Sequence, residues 1–498
     1  MDMEAKQKHP DWTLAHKKPG TELKCINGRY YLYGVKSVYD KKLKWPRKIS
    51  LGIVGSITKE KGFIPSEKQQ LKIKSSKTYY NKQVYSLEYS FSMWLINTLE
   101  KEGILEDLKR LFPDLWQFIV SMIYCRVAYQ SPLKNIPFHL QQSDILKLLG
   151  WSEKVDDPKI GDLLFELGCR EQSIHRFMQP KDSQTKTILI DATDIVLQSN
   201  HISLSKEGYN SRMDFQPQFV LLYLYDAVFL RPLYYRMLPG NIREISAMKN
   251  TIKISGLEHC AYIADKGLFS EANVSELERM GMQYMIPLKR NNQQINYKAL
   301  ENIEQTDNYF EFSKRFIFHA DTKETGNRRI EVFLDGKLKE QEKADYLSRI
   351  QSLPENFSKH RFNELVKTMG TLAIIHNTQN TPKELYHEYK SRGDIEQFFD
   401  HLKNTLNASS SSMQREKSLN GWMFINHLSM LVIYRLFEIL KTTPLNKQDK
   451  LLHKYSLMDA VVHLKSVKKI KFAPDESVIA EINKSTKKLL EKMKISIT

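Results

Sequence analysis

Apolar positions change their spacing along the chain, and each change marks a boundary. Over residues 20–65 the runs GRYYLYGVKSVYD and ISLGIVGSI alternate and are rich in Tyr, Val and Ile, which predicts a small β module. The segment Lys41–Lys48 (KKLKWPRK) reads as a basic turn between the two runs, and the polar stretch 66–85 as a linker. From 86 to about 180 the spacing becomes helical, in SFSMWLINTLEKEGILEDLKRLF and LWQFIVSMIYCRVAY. Near 186 the period shortens again. KTILIDATDIVL predicts a strand interrupted by acids, and FQPQFVLLYLYDAVFLRPLYYRML two strands joined at Tyr225–Ala227. IREISAMKNTIKIS follows as a helix, HCAYIADKG as a strand, SEANVSELERMG as a helix and QYMIPLKR as a strand. The order β-β-β-α-β-α-β predicts an α/β fold, a mixed sheet covered by helices.

Residues 290–385 interrupt that order with further strand-like runs (YFEFSKRFIFHAD, RRIEVFLDG, TLAIIHNT) around a polar helix, which predicts an inserted β-rich subdomain. A long helix begins near 383 with YHEYKSRGDIEQFFDHLKNTL, and after the loop NASSSSMQREKS comes an apolar helix at 422–440. The chain thus divides into a basic β module at 1–80, a helical region at 81–185, a core at 186–440 and a basic helical tail at 441–498.

Composition narrows the function classes. With 498 residues, 41% hydrophobic and 11% aromatic, the chain is too apolar to be disordered, and Gly and Pro are too sparse for a fibrous protein. The net charge is +17, and it is sorted. Residues 1–80 carry 18 Lys and Arg against 7 Asp and Glu, and 441–498 carry 13 Lys against 6 acids, leaving the middle close to neutral. Two basic ends suit a polyanionic partner, most simply nucleic acid. Cys25, Cys125, Cys169 and Cys260 are too scattered for a zinc knuckle or a redox pair and suit a reducing compartment. The opening MDMEAKQKHPDW holds no apolar stretch of signal-peptide type. The window 422–440 carries Asn426, His427 and Arg435 and reads as a buried core helix rather than a membrane span. The expectation is a soluble cytoplasmic protein.

Three carboxylates stand where such a sheet forms ligand sites. Asp191 sits at the end of the first strand of the β-β-β unit, Asp265 at the end of the fourth, and Glu396 lies on the helix after the insertion. Asp194 competes with Asp191, since both lie in IDATDI. Three hard oxygen donors without His or Cys suit Mg²⁺ or Mn²⁺, and two such ions about 3.5–4 Å apart can stabilise both oxygens of a phosphoryl transfer. On a continuous helix at about 100° per residue, Tyr389, Arg392, Glu396 and Lys403 fall on one narrow stripe. Arg392 and Lys403 could hold phosphate beside an acid that holds metal; a solvated face of i,i+4 ion pairs is the other reading.

These residues resemble the DDE transposases of bacterial insertion sequences, in the insertion-sequence-four (IS-four) superfamily. The D-x-T motif matches Asp191-Ala192-Thr193, which favours Asp191 over Asp194, and D-x-G matches Asp265-Lys266-Gly267. Gly208-Tyr209 and Gly240-Asn241 resemble the glycine landmarks between them, and the Y-R-E-K signature matches at Tyr389, Arg392, Glu396 and Lys403. The resemblance covers about 186–440. It implies a ribonuclease-H-like core with a β-rich insertion, catalytic and metal-binding roles for Asp191, Asp265 and Glu396 with two Mg²⁺ ions (or Mn²⁺), and DNA phosphate binding by Tyr389, Arg392 and Lys403. It implies double-stranded DNA partners (element ends and target), cut-and-paste strand cleavage and strand transfer, and a homodimer in the synaptic complex, with no membrane. Some relatives use a Trp in the insertion to hold a flipped base during hairpin formation; here no Trp lies between Trp151 and Trp422, and the alternatives are that Tyr309, Phe310 or Phe316 replaces it or that no hairpin forms. The alternatives are a catalytically inactive DNA-binding relic and a host nuclease of the same fold.

Overall fold

The computed structural model describes residues 9–40, 45–67, 85–153, 155–180, 187–199, 201–209, 214–229, 231–241, 245–257, 259–446, 448–472 and 476–496. Positions 41–44 of the basic turn and 68–84 of the linker lie outside them. The chain forms two compact units, 1–86 with 470–478, and 87–469 with 479–498.

The first unit is an antiparallel sheet of β1 (Thr21–Ile26), β2 (Arg29–Asp40), β3 (Trp45–Thr58) and β4 (Gly62–Pro65), in that order. Asn27 and Gly28, both at positive φ, make the two-residue turn between β1 and β2. Its core is small: Leu23, Leu32 and Ile57, flanked by Trp12, Tyr30 and Phe63. The far halves of β2 and β3 extend beyond that core and leave Val38, Tyr39, Trp45, Ile49 and Leu51 exposed.

The second unit is built on one large mixed sheet. Its centre consists of β5 (Thr187–Leu197), β7 (Phe215–Asp226), β8 (Arg231–Pro239), β9 (Ala261–Ile263) and β10 (Gln283–Pro287), with the short β6 (Lys206–Tyr209) sharing the edge of β7 with β8. The order β8-β7-β5-β9-β10, with β7 antiparallel to its neighbours and β9 and β10 parallel to β5, is the ribonuclease-H-like arrangement. β7 is buried without interruption from Gln218 to Asp226, as a central strand covered on both faces should be. The β-rich insertion extends this sheet. β11 (Tyr309–Phe312), β12 (Arg315–Thr325), β13 (Arg328–Asp335) and β14 (Thr371–His376) add antiparallel strands, and β14 joins them to β10 through Met285↔His376.

Around the sheet lie α1 (Ser90–Lys101), α2 (Ile104–Leu111), α3 (Trp116–Tyr129), α4 (Asp157–Cys169), the crossover helices α5 (Ile245–Ser255) and α6 (Glu271–Arg279), then α7 (Pro382–Lys390), α8 (Arg392–Asp400) and α9 (Glu416–Thr442). Gly103, at φ 68°, breaks α1 from α2. α9 is long and apolar enough to cross a membrane, yet 72% of its most apolar window is buried inside the protein, as a core helix would be. It crosses α4 with the backbones in contact. A methyl group on Gly168 would stand 1.6 Å from the Lys417 carbonyl oxygen, and one on Gly421 would stand 2.3 Å from that of Leu164.

The helix expected to run on from 383 is broken. α7 ends at Lys390, α8 starts at Arg392, and His401–Thr405 form a π-helical turn. The Ser391 hydroxyl donates to the Glu388 carbonyl at 2.6 Å, a local bond of the kind that competes with the helix ladder. Tyr389, Arg392, Glu396 and Lys403 therefore do not form the single α-helical stripe that uniform spacing predicts.

Candidate active site

Strand register sets the first two acids side by side. β5 and β9 are parallel, with Leu189 paired to Ile263. Asp191 and Asp265 each lie two residues beyond that pair, on neighbouring paths about 4.8 Å apart. On its other side Asp191 is the cross-strand partner of Tyr223 on β7, so both side chains rise from the same face. That face seats α8. Phe398 is buried against Tyr223 and Tyr225, with ring centroids 4.5 and 5.6 Å apart, and Ile395 is buried beside it. Seating α8 by these two residues turns Arg392 and Glu396 towards Asp265, just past the end of β9, and Asp191, which lies within β5 rather than at its expected end because β5 keeps pairing with β7 as far as Val196.

The three carboxylates meet at one guanidinium. Arg392 Nη2 lies 3.3 Å from Asp191 Oδ2 and 3.3 Å from Asp265 Oδ1, and Nη1 lies 2.9 Å from Glu396 Oε1. The Ala192 amide donates to Asp191 Oδ1 at 2.9 Å and fixes that carboxylate's orientation. Side-chain exposure climbs from 18% at Asp191 through 33% at Asp265 to 59% at Glu396, so the group opens to solvent on the helix side. Burial raises the Asp191 pKa, and Asp265 and Glu396 add to the rise, while Arg392 and the Ala192 amide pull it back. Burial opposes the charge on Arg392, but the three acids outweigh it and its pKa is raised. Tyr389 lies against Arg392, and burial pushes its phenol up.

The other sequence candidates fall around this group. Asp194 has the opposite strand parity to Asp191 and lies 3.4 Å from Gln218 Nε2. The two glycine landmarks touch each other: a methyl on Gly208 would stand 2.3 Å from the Gly240 carbonyl oxygen, and one on Gly240 would stand 2.2 Å from that of Gln218. They close the edge where β6 meets the end of β8. Lys403 is half-buried in the π-helical turn, seven residues beyond Glu396. At the β11–β12 hairpin, Tyr309 and Phe316 are both exposed and pack edge to face at 5.7 Å, whereas Phe310 is buried against Tyr386.

One supporting residue escaped the sequence reading. Arg126 is buried on α3, bonds Asn426 Oδ1 on α9 at 2.9 Å through Nη2, stacks on Trp422 at 4.3 Å, and donates to the Leu406 carbonyl just after the π-helical turn. Burial lowers its pKa to about 10, so it stays charged near neutrality. A lone cation inside a helix apolar on every side was the clue.

The donor set fits a hard divalent cation: three carboxylates and, among the described residues, no nitrogen or sulfur ligand, all within reach of a single positive group. Residues 182–432 match the family described as the transposase DDE domain, a span that contains all six candidate site residues. Among solved structures the chain is similar to a piggyBac transposase in a synaptic complex with hairpin DNA, with a TM-score of 0.38 and 8% identity, covering 70% of this chain and 69% of that one. No curated protein matches the chain by sequence.

Proposed function

The chain belongs to the transposase DDE domain family, and on that premise we propose that it is a bacterial insertion-sequence transposase of the IS-four type that cuts and joins DNA with Asp191, Asp265 and Glu396. The observation that supports this most directly is the convergence of the three acids, from the middle of β5, the end of β9 and a separate helix, on Arg392. Two Mg²⁺ ions (or Mn²⁺) held by these acids would supply an activated water and charge neutralisation for in-line attack on a phosphodiester. The protein's own part is positional. The Ala192 amide and the β5–β9 register hold Asp191 and Asp265 side by side, and α8 carries Glu396 over them. Tyr389, Arg392 and Lys403 would grip the DNA backbone as the strand is cut to leave a 3′-OH. That hydroxyl would then attack target DNA in a second in-line displacement. The basic β module and tail would hold the element ends, a homodimer would bridge two of them, and Tyr309 and Phe316 offer the exposed aromatic surface for an unstacked base. The protein would work in the cytoplasm, on the nucleoid.

The test begins with the DNA flanking the gene, where terminal inverted repeats bounded by a direct duplication define the substrate. On that substrate, Asp191→Ala and Glu396→Ala lose Mg²⁺-dependent cleavage and keep DNA binding. Asp194→Asn, on the other face of β5, keeps cleavage within about twofold of wild type. Full cleavage by either alanine variant removes that residue from the proposed site, and equal cutting of DNA without element ends points to a host nuclease instead.

A further inference from the structure

The acid cluster has a positive centre already in place. Two guanidinium nitrogens of Arg392 reach all three carboxylates at 2.9–3.3 Å, and its remaining nitrogen, Nε, is buried without a hydrogen-bond partner among the described residues. Among those residues no three His, Cys, Asp or Glu side chains stand close enough to form a ready-made metal cage. The acids are thus gathered by the arginine and are not yet closed on each other.

Charge makes this arrangement exclusive. Three carboxylates carry −3, and two divalent ions would bring +4. Retaining the guanidinium would leave a partly buried surplus of +2 and would keep one oxygen of each acid occupied. We infer that Arg392 is a built-in counter-ion that competes with divalent metal for these acids, and that a DNA phosphate, by drawing the guanidinium away, opens the site to metal. Resting on the reading of Asp191, Asp265 and Glu396 as metal ligands, this makes metal binding and DNA binding reciprocally coupled, since a ligand that favours the displaced arginine must favour every other ligand that does. The placement of Arg392 suits such a change. It is the first residue of α8, it follows the break at Ser391, and it precedes Gly393, around whose Cβ position there is open space. DNA-free protein would then leave its metal site masked, and assembly on DNA would come before cutting.

Mn²⁺ titration of the full-length, DNA-free protein by calorimetry tests this. The coupling predicts weak binding to wild type and binding tighter by about tenfold or more to Arg392→Gln, the scale of a charge-assisted hydrogen bond removed. A short DNA duplex, corrected for Mn²⁺ bound by the duplex alone, tightens Mn²⁺ binding to wild type and not to Arg392→Gln. Equal Mn²⁺ affinity in wild type and Arg392→Gln overturns the inference. Asp191→Asn separates it from the reading beneath it. If that change leaves Mn²⁺ binding untouched in both backgrounds, the metal-ligand reading fails. If it abolishes binding while Arg392→Gln adds nothing, only the counter-ion role fails. Should Arg392→Gln not fold, wild-type melting decides. A combined shift with Mn²⁺ and duplex that exceeds the two separate shifts supports the coupling, and a merely additive shift refutes it.

Discussion

Asp191 and Asp194 stand three residues apart on β5, and strand alternation sends them to opposite faces. Only Asp191 shares a face with the Tyr223 and Phe398 seat of α8, which is why one acid of the pair meets Arg392 while the other meets Gln218. Beneath that seat lies a second titratable group. His427 of α9 is fully buried, stacks on Tyr223 and shares a 2.7 Å hydrogen bond with its hydroxyl. Burial lowers its pKa to about 3, against about 6.5 for an unfolded histidine. The unfolded chain therefore binds a proton there below about pH 6.5 that the folded chain refuses until about pH 3. Stability from this group is complete above pH 6.5 and falls as pH drops towards 3, by up to about 1.4 kcal/mol per pH unit. His427→Gln, which retains polar hydrogen-bonding atoms for the Tyr223 hydroxyl, should flatten the stability profile between pH 6.5 and 4.5 in denaturant titrations. An unchanged difference between wild type and variant across that range would mean that His427 is not the group titrating.

At the scale of elements, two backbone contacts fix what lies behind the site. α4 and α9 cross at Gly168 and Gly421, where a methyl on Gly168 would overlap the Lys417 carbonyl. Gly168→Ala must push the helices apart, and α9 carries His427, Asn426 and the Tyr434 ring that packs on Phe398 at 5.7 Å. Overpacking of this kind costs about 1–3 kcal/mol, so a lowered melting temperature is expected, and an unshifted one would show that the crossing can relax. How much of this was visible in the chain differs by element. The β-β-β-α-β-α-β order could be read because each strand is a short apolar run bounded by turn residues, and Asp265 came with it as a strand-end acid; Asp191 did not, because the acids of IDATDI do not end β5, which pairs with β7 as far as Val196. Long-range pairing left no local trace, so nothing in YFEFSKRFIFHAD or TLAIIHNT says that β14 bonds to β10 and carries the insertion into the core sheet. Helical spacing likewise hid the break at Ser391, where the hydroxyl bonds the Glu388 carbonyl. The meeting of Arg392 with all three acids joins residues of β5, β9 and α8 that are far apart in the chain. Its residues could be named from the sequence, and its geometry could not.

On the scale of the whole molecule, the sorting of charge makes a claim about where affinity resides. The acid cluster sits in the near-neutral middle of the chain, and the excess of Lys and Arg sits in the basic β module and the tail. In the module, β2 and β3 pair Val38 with Arg47 and Lys36 with Ile49, so one exposed face alternates cations with apolar side chains, continued by Trp45 and Leu51. Solvent gives such apolar groups no return, whereas a nucleic-acid groove offers phosphates to Lys36 and Arg47 and sugar or base edges to Trp45 and Ile49. Duplex binding by the full chain should therefore weaken linearly on a plot of log affinity against log salt, with a slope of about −0.9 per phosphate neutralised. Changing Lys36 and Arg47 together to Ala should make that slope shallower by about 0.9 for each contact truly made, and leave the folded stability of the second unit unchanged in thermal melts. A double variant with the wild-type slope would move end binding away from this face of the hairpin. A shallower slope with Mg²⁺-dependent cleavage retained at low salt would separate the parts, the basic ends holding DNA by charge and the acid cluster acting on whatever strand is held there.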